Sequence, residues 1–249
     1  MNGRWTRGLV IAAMGTAVLS ACTTEGPGAP DRPAGSESSG ANESGTGSEG
    51  GADVEKLNKV LLAAASEGDA AGAREAVKAG ADVEARDGEG RTALFTAVIE
   101  DHVDVAEVLV EHGADPDAPD SRGESPWVNT GVTGSVAMME LLLPLEPDLA
   151  QYNRFGGTAL HPASERGHVD YVREVLAQSD IPVDRVNDLG WTALLEAVYF
   201  GDGGTDHQEI VRLLVDAGAD ASIEDSSGLT ALDHARAGGY DEIVRILED

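Results

Sequence analysis

The 249-residue chain reads as an all-α solenoid of about six helix-turn-helix units with β-hairpin loops, preceded by a disordered tether. Three observations predict this. A Thr or Ser anchor ahead of an apolar run recurs at Thr92, Ser125, Thr158, Thr192 and Thr230, with a weaker first copy at Lys59, spaced 33, 33, 33, 34 and 38 residues apart. The hydroxyl stands where a helix start needs a side-chain acceptor. A second amphipathic run follows, as Ile210, Val211, Leu213, Leu214 and Val215 do after Thr192. Gly-Ala-Asp closes units at Gly80, Gly113 and Gly218, where a helix can end in the left-handed conformation that glycine adopts without strain. One such unit cannot cover its own apolar stripes, so neighbours must stack.

Residues 1–21 read as a signal peptide. Arg4 and Arg7 precede an apolar run from Gly8 to Ser20 that is too short for a permanent membrane span. Leu19-Ser20-Ala21-Cys22 resembles a bacterial lipobox, and that resemblance implies diacylglyceryl transfer to the Cys22 thiol followed by cleavage. Cys22 is the only cysteine, which excludes an intrachain disulfide. Residues 22–53 form the tether. Thr23 to Ala52 holds eight Gly, five Ser and three Pro and no large apolar residue, so it cannot offset its ordering entropy. As a Gly/Ser coil it spans about 30 Å.

The repeats occupy residues 54–89, 90–122, 123–155, 156–189, 190–227 and 228–249. In the first, Lys56 and Lys59 suit the wet outer face of a cap. In the second, Asp101 stands where the inter-helix turn usually has Gly. The third departs most. Trp127 fills an apolar core slot, Thr130-Gly131 replaces a small Ala pair, and Pro144 and Pro147 interrupt the second helix. The fourth has Ser179-Asp180 in place of a Gly cap. The fifth carries extra residues, GDGGTDHQ, between its helices, and the sixth stops after its second helix.

The anchors read TALFTAV at Thr92, TALHPAS at Thr158, TALLEAV at Thr192 and TALDHAR at Thr230. With a period near 33 this resembles the ankyrin repeat, a protein-binding scaffold. NRFGGTALHPASERGHV, VNDLGWTALLEAV and GDGGTDHQEIVRLL further resemble a group of bacterial exported ankyrin-repeat proteins over about Ser125 to Leu247. The resemblance implies that hairpin tips and first helices line a concave binding face, and that His102, His161 and His168 support loop hydrogen bonds.

On that face the candidate partner-contacting residues are Arg91, Tyr152, Phe155, Trp191, Glu196, Tyr199, Phe200, Asp202 and His207. Tyr152, Phe155, Trp191 and Tyr199 are either an exposed aromatic patch or ordinary inter-repeat packing. The slot of Trp191 points outward in the family, so Trp191→Ala is expected to spare melting and weaken binding. Trp127, Tyr171 and Tyr240 are expected to be structural. Glu196 occupies a first-helix position that is usually small or apolar. It is placed either to receive an Arg or amine from a ligand, or to pair internally with Arg154 or Arg185. Asp202, Asp206 and His207 have the residue types of a cation site, but helix capping and a glycine turn explain them better.

Acidic residues outnumber basic ones 45 to 17, and removing residues 1–21 takes the net charge from -28 to -30. Such a surface repels phosphate backbones and lacks the basic stripes that nucleic-acid binding needs. No catalytic or nucleotide-binding motif appears, and the single cysteine is the anchor, so neither an enzyme nor a cofactor or metal is expected. The sequence therefore predicts a monomeric, lipid-anchored, extracytoplasmic scaffold that binds a protein, with the acidic charge pointing to a basic one. The alternative is a small-molecule or cell-wall ligand in a pocket around Trp191, Glu196 and Asp202.

Overall fold

A computed structural model describes residues 48–249, and all twelve α-helices of that part pair in sequence order. The first-helix layer comprises α1 (Ser48–Glu67), α3 (Ala93–Ile99), α5 (Pro126–Thr133), α7 (Leu160–Glu165), α9 (Ala193–Tyr199) and α11 (Ala231–Gly238). The second layer comprises α2 (Ala70–Lys78), α4 (Val103–Glu111), α6 (Val136–Leu142), α8 (Val169–Gln178), α10 (Thr205–Asp216) and α12 (Asp241–Glu248). Each helix packs on its partner and on the equivalent helix of the next repeat. The core lies between the layers, where Leu94, Leu109, Met138, Leu160, Leu194 and Ile210 are buried. Each such side chain contributes about 1.5–3 kcal/mol.

The anchors do what their chemistry predicts. The hydroxyls of Thr92, Ser125, Thr192 and Thr230 accept the N–H of Phe95, Val128, Leu195 and Asp233 at 3.1–3.3 Å. Thr158 differs: its own N–H donates to Nδ1 of His161 at 3.1 Å. The connections to the first helices are hairpins closed by two backbone bonds, for example Asn187 N–H to Trp191 C=O and Gly190 N–H to Asn187 C=O, both at 2.9 Å. The described residues contain a single bridge, Arg86 with Thr92, and no strand. An Asp or Asn side chain braces these turns from inside. Oδ1 of Asp87, Asp120, Asn153, Asn187 and Asp225 each accepts two backbone N–H groups.

The irregular repeats fold around their departures. Asp101 takes a φ of 56° where other repeats use glycine, a region that Asp tolerates better than most residues. The prolines of repeat three end α6 at Leu142 and leave a 3₁₀ turn, Leu143–Leu145, with Glu146 left-handed. Gly131 is required by close approach, because a Cβ there would meet the Ala159 carbonyl oxygen. Trp127 is fully buried, and the Tyr171 hydroxyl lies 2.7 Å from that of Thr130. Tyr240 donates to the Gly201 carbonyl at 3.1 Å.

Helix α1 starts at Ser48, inside the stretch expected to be tether. Once Leu61, Ala64 and Ala65 are buried, each added upstream residue gains one helical bond without a new nucleation cost. The signal peptide, Cys22 and the tether up to residue 47 lie outside the described residues. Among the described residues no helix is long and apolar enough to cross a membrane.

Candidate functional site

Eight of the ten exposed large apolar side chains among the described residues lie in repeats three to six, and Tyr152, Phe155, Leu189, Tyr199 and Phe200 are each 47–56% accessible. The hairpin turns lift Phe155 and Leu189 to their tips, and Tyr199 and Phe200 end α9. Two arginines brace the patch. Arg154 lies 4.8 Å above the Phe155 ring and 3.7 Å from Glu124. Arg185 lies 5.1 Å above Tyr152 and donates to the Gly156 carbonyl.

Trp191 does not behave as an outward tip. Its indole is half-buried, with ring centres 4.5 Å from Tyr199, 5.6 Å from Phe200 and 5.6 Å from His234. His234 is held in place by Asp225 at 2.8 Å. The next repeat thus offers a flat ring on which Trp191 lies down. Of the two aromatic alternatives, Trp191 falls to packing, while Tyr152, Phe155, Tyr199 and Phe200 are exposed.

Between α7, α9 and the two hairpin tips lies a cleft of about 160 Å³. Phe155, Leu189 and Phe200 form its apolar rim, and His161, Glu165 and Glu196 supply its polar groups. Glu196 sits in the first turn of α9 and is 7% accessible. It pairs with neither Arg154 nor Arg185, because the aromatic rings have taken both. Its Oε1 instead accepts from the Asn187 side-chain amide at 2.8 Å. Burial first, then the nearby Glu165 carboxylate, push Glu196 up to about 8, against the pull of the Asn187 bond. His161 is pushed down to about 4, chiefly by burial. Nδ1 accepts from Thr158, so its proton is on Nε2, which faces the carbonyls of Arg185 and Trp191 at 3.1 and 3.3 Å. It is a neutral loop brace.

The other candidates lie apart from this cleft. Asp202 Oδ1 accepts the Gly204 N–H at 2.8 Å and meets His207 Nδ1 at 3.3 Å. The Gly204 bond, then His207, hold its carboxyl below the usual range. His207 Nε2 lies 3.1 Å from the Glu165 carbonyl. His102 and His168 reach the carbonyls of Ser66 and Val132 in the same way. The repeat-five insertion adds a turn to the start of α10 yet returns a histidine to this bracing position. Arg91 is engaged with Asp87 and Glu89 in the hairpin of repeat two. Among the described residues no group of three or more His, Cys, Asp and Glu could hold a metal ion.

Of the pocket expected around Trp191, Glu196 and Asp202, only Glu196 lines the cleft. Its other walls come from separate repeats, Phe155 from the third and Phe200 from the fifth. One signal was available: Asn187 and Glu196 stand nine residues apart, as Asp225 and His234 do, and both pairs are bonded.

A family model described as Ankyrin repeats (3 copies) matches residues 47–120 and 131–225. The unmatched interval holds Trp127, where repeat three departs most. Putative ankyrin repeat protein YahD of Escherichia coli (strain K12) is 35% identical over 194 residues, 78% of this chain and 96% of its own length. The crystal structure of an ankyrin repeat domain (ABAYE2397) from Acinetobacter baumannii AYE is 41% identical, with a TM-score of 0.72, over 76% of this chain and 95% of that one. The ankyrin repeat protein EF0377 of E. faecalis is 39% identical, with a TM-score of 0.74, over 77% of this chain and 98% of its own. With its period, caps and paired layers all accounted for, the chain belongs to the ankyrin-repeat family, whose repeats make non-enzymatic scaffolds that bind proteins.

Proposed function

We propose that this chain is a lipid-anchored, extracytoplasmic scaffold that grips a basic protein partner with the concave face of repeats three to six. The observation that carries the reading is the set of exposed aromatics, Tyr152 and Phe155 of repeat three and Tyr199 and Phe200 of repeat five, of which Phe155 and Phe200 line one cleft with a buried acid. Rigid aromatic side chains anchor protein interfaces at low entropic cost. The acidic excess of the chain supports a basic partner by steering its approach. A small-molecule ligand has less support: Trp191 and Asp202 do not line the cleft, and about 160 Å³ is below the roughly 300–1,000 Å³ of drug-sized sites.

The envelope location rests on the lipobox-like Leu19-Ser20-Ala21-Cys22 behind an apolar leader. Anchoring through acyl chains contributes about 0.8 kcal/mol per buried methylene. Two measurements test the two halves of the reading. In a bacterial host, the wild-type chain should fractionate with membranes and Cys22→Ser should not; equal partition would remove the anchor. A photo-crosslinker at Tyr199, exposed to the extracytoplasmic medium, should capture a discrete protein, and Phe200→Ser should abolish the capture. Capture that survives Phe200→Ser and Phe155→Ser together would remove the aromatic face.

A further inference from the structure

Four carboxylates are buried among the described residues: Asp120, Glu124, Glu196 and Asp225. Three of them have a basic side chain beside them, namely Arg122 at 3.2 Å, Arg154 at 3.7 Å and His234 at 2.8 Å. Glu196 has none. The comparison with repeat six is specific, because the same two positions are bonded in both repeats. There the acid, Asp225, is in the turn and the base, His234, is on the helix. In repeat five the acid has moved to the helix, and the turn residue is a neutral amide, Asn187. The turn keeps its brace because the Asn187 oxygen still accepts the N–H groups of Leu189 and Trp191. What the exchange leaves is a carboxylate without a counter-charge, lining a cleft. Only one of its oxygens, Oε1, receives a hydrogen bond from the chain.

Everything else around the cleft suits a cation. No lysine or arginine lines it, and Arg154 and Arg185 are engaged with Phe155 and Tyr152. Glu165 stands exposed at its mouth. Phe155 and Phe200 line it as aromatic walls, and aromatic rings attract an ammonium or guanidinium. A cavity of about 160 Å³ holds one side-chain head and little more.

We propose that this cleft is a socket for a single lysine or arginine side chain of the partner, with Glu196 as the buried counter-charge, Glu165 guarding the entrance and Phe155 and Phe200 as walls. The proposal rests on the reading of the chain as a binder of a basic protein, and it names the contact that gives that binding its specificity.

Binding in this socket is coupled to a proton. The titratable groups facing Glu196 are Glu165 and His161 of α7. The hairpin presents only the Asn187 amide, α11 directs His234 to Asp225, and α10 directs His207 to Asp202. Burial and Glu165 hold Glu196 protonated up to about 8. An entering cation therefore displaces the carboxyl proton into water and takes its place. Affinity should weaken about tenfold from pH 7 to pH 6 and level off above pH 8.

The test titrates the purified full-length chain with N-acetyl-arginine amide, N-acetyl-lysine amide and the uncharged N-acetyl-citrulline amide. The Asn187 side-chain amide resonance is the reporter, because it touches Glu196. The expected result is a saturable shift with both cations, none with citrulline, the tenfold pH effect, and at least tenfold weaker binding in Glu196→Gln. Equal binding of citrulline, undiminished binding in Glu196→Gln, or no saturable shift at any pH overturns the socket. The Tyr199 crosslinker keeps this failure separate from that of the wider reading. If wild type and Glu196→Gln capture the same protein equally well, the socket is wrong and the partner surface stands. If wild type captures nothing, the wider reading falls.

Discussion

Replacing Glu196 by Gln separates charge from shape, and its effect on stability is expected to depend steeply on pH. The folded chain holds the Glu196 proton up to about 8, against an ordinary 4.5. Between those values the unfolded chain has lost the proton and the folded chain has not. Stability is therefore complete below about 4.5, falls as pH rises, and has lost the full amount once pH passes about 8. Each unit of that window is worth about 1.4 kcal/mol. The carboxyl thus costs under about 1 kcal/mol at pH 5 and about 4 kcal/mol at pH 8. Gln retains the acceptor for the Asn187 amide and does not titrate. Urea denaturation followed by circular dichroism should give Glu196→Gln a gain about 3 kcal/mol larger at pH 8 than at pH 5. Stacked repeats can unfold in parts, so the quantity to compare is the midpoint difference between the two proteins at each pH. A gain of the same size at both pH values, or a loss at pH 8, would refute the buried, unpaired carboxyl.

Trp191→Ala is expected to lower stability by about 1–3 kcal/mol, because the indole packs on Tyr199, Phe200 and His234. Leu189→Ser, at a hairpin tip 56% accessible, should stay within about 0.5 kcal/mol of wild type; thermal melts of both distinguish packing from display. Gly131→Ala should cost about 1–3 kcal/mol or more, since its methyl would run into the Ala159 backbone. An unchanged melt would mean that α5 and α7 are not in close contact. Tyr171→Phe removes the hydroxyl that lies 2.7 Å from Thr130 and should cost about 1 kcal/mol, read by the same denaturation.

The stacked architecture was legible because it is written in local chemistry that repeats. A hydroxyl before the first helices of repeats two to six, an Asx in each hairpin turn and a left-handed residue after most helices all act within a few residues of themselves. The exceptions were legible for the same reason: Asp101 kept the turn geometry and the prolines of repeat three ended α6 early. The site was harder to read, because it depends on which residue stands one repeat away. The residue before the anchor is Arg91, Glu124, Gly157, Trp191 and Leu229 in successive repeats. Only Trp191 turns down onto a partner ring, and that ring, His234, is 43 positions later. Glu196 stood out as an odd residue on a first helix. Its lack of a counter-ion did not, because Arg154 and Arg185 were available by sequence and are diverted by Phe155 and Tyr152 in space.

Where a repeat departs from its neighbours, the structure separates two kinds of departure. Some are repaired from within. Gly131 makes room for the Ala159 backbone, Thr130 gains the Tyr171 hydroxyl, and His207 recovers across an insertion the carbonyl that a shorter turn would have given it. Such changes cost packing and regain it inside the same stack, so the folded chain itself accounts for them. Glu196, Tyr199 and Phe200 are different in kind. A buried acid without a cation lowers stability, and the outward halves of the two aromatics stay open to water although both rings pack on Trp191. Stability alone favours an apolar residue at position 196. These three residues lie within five positions on one helix end, beside the one cleft that Glu196 lines among those described. On the proposed reading the missing compensation comes from the partner, which brings a cation and covers the exposed halves of the rings at once.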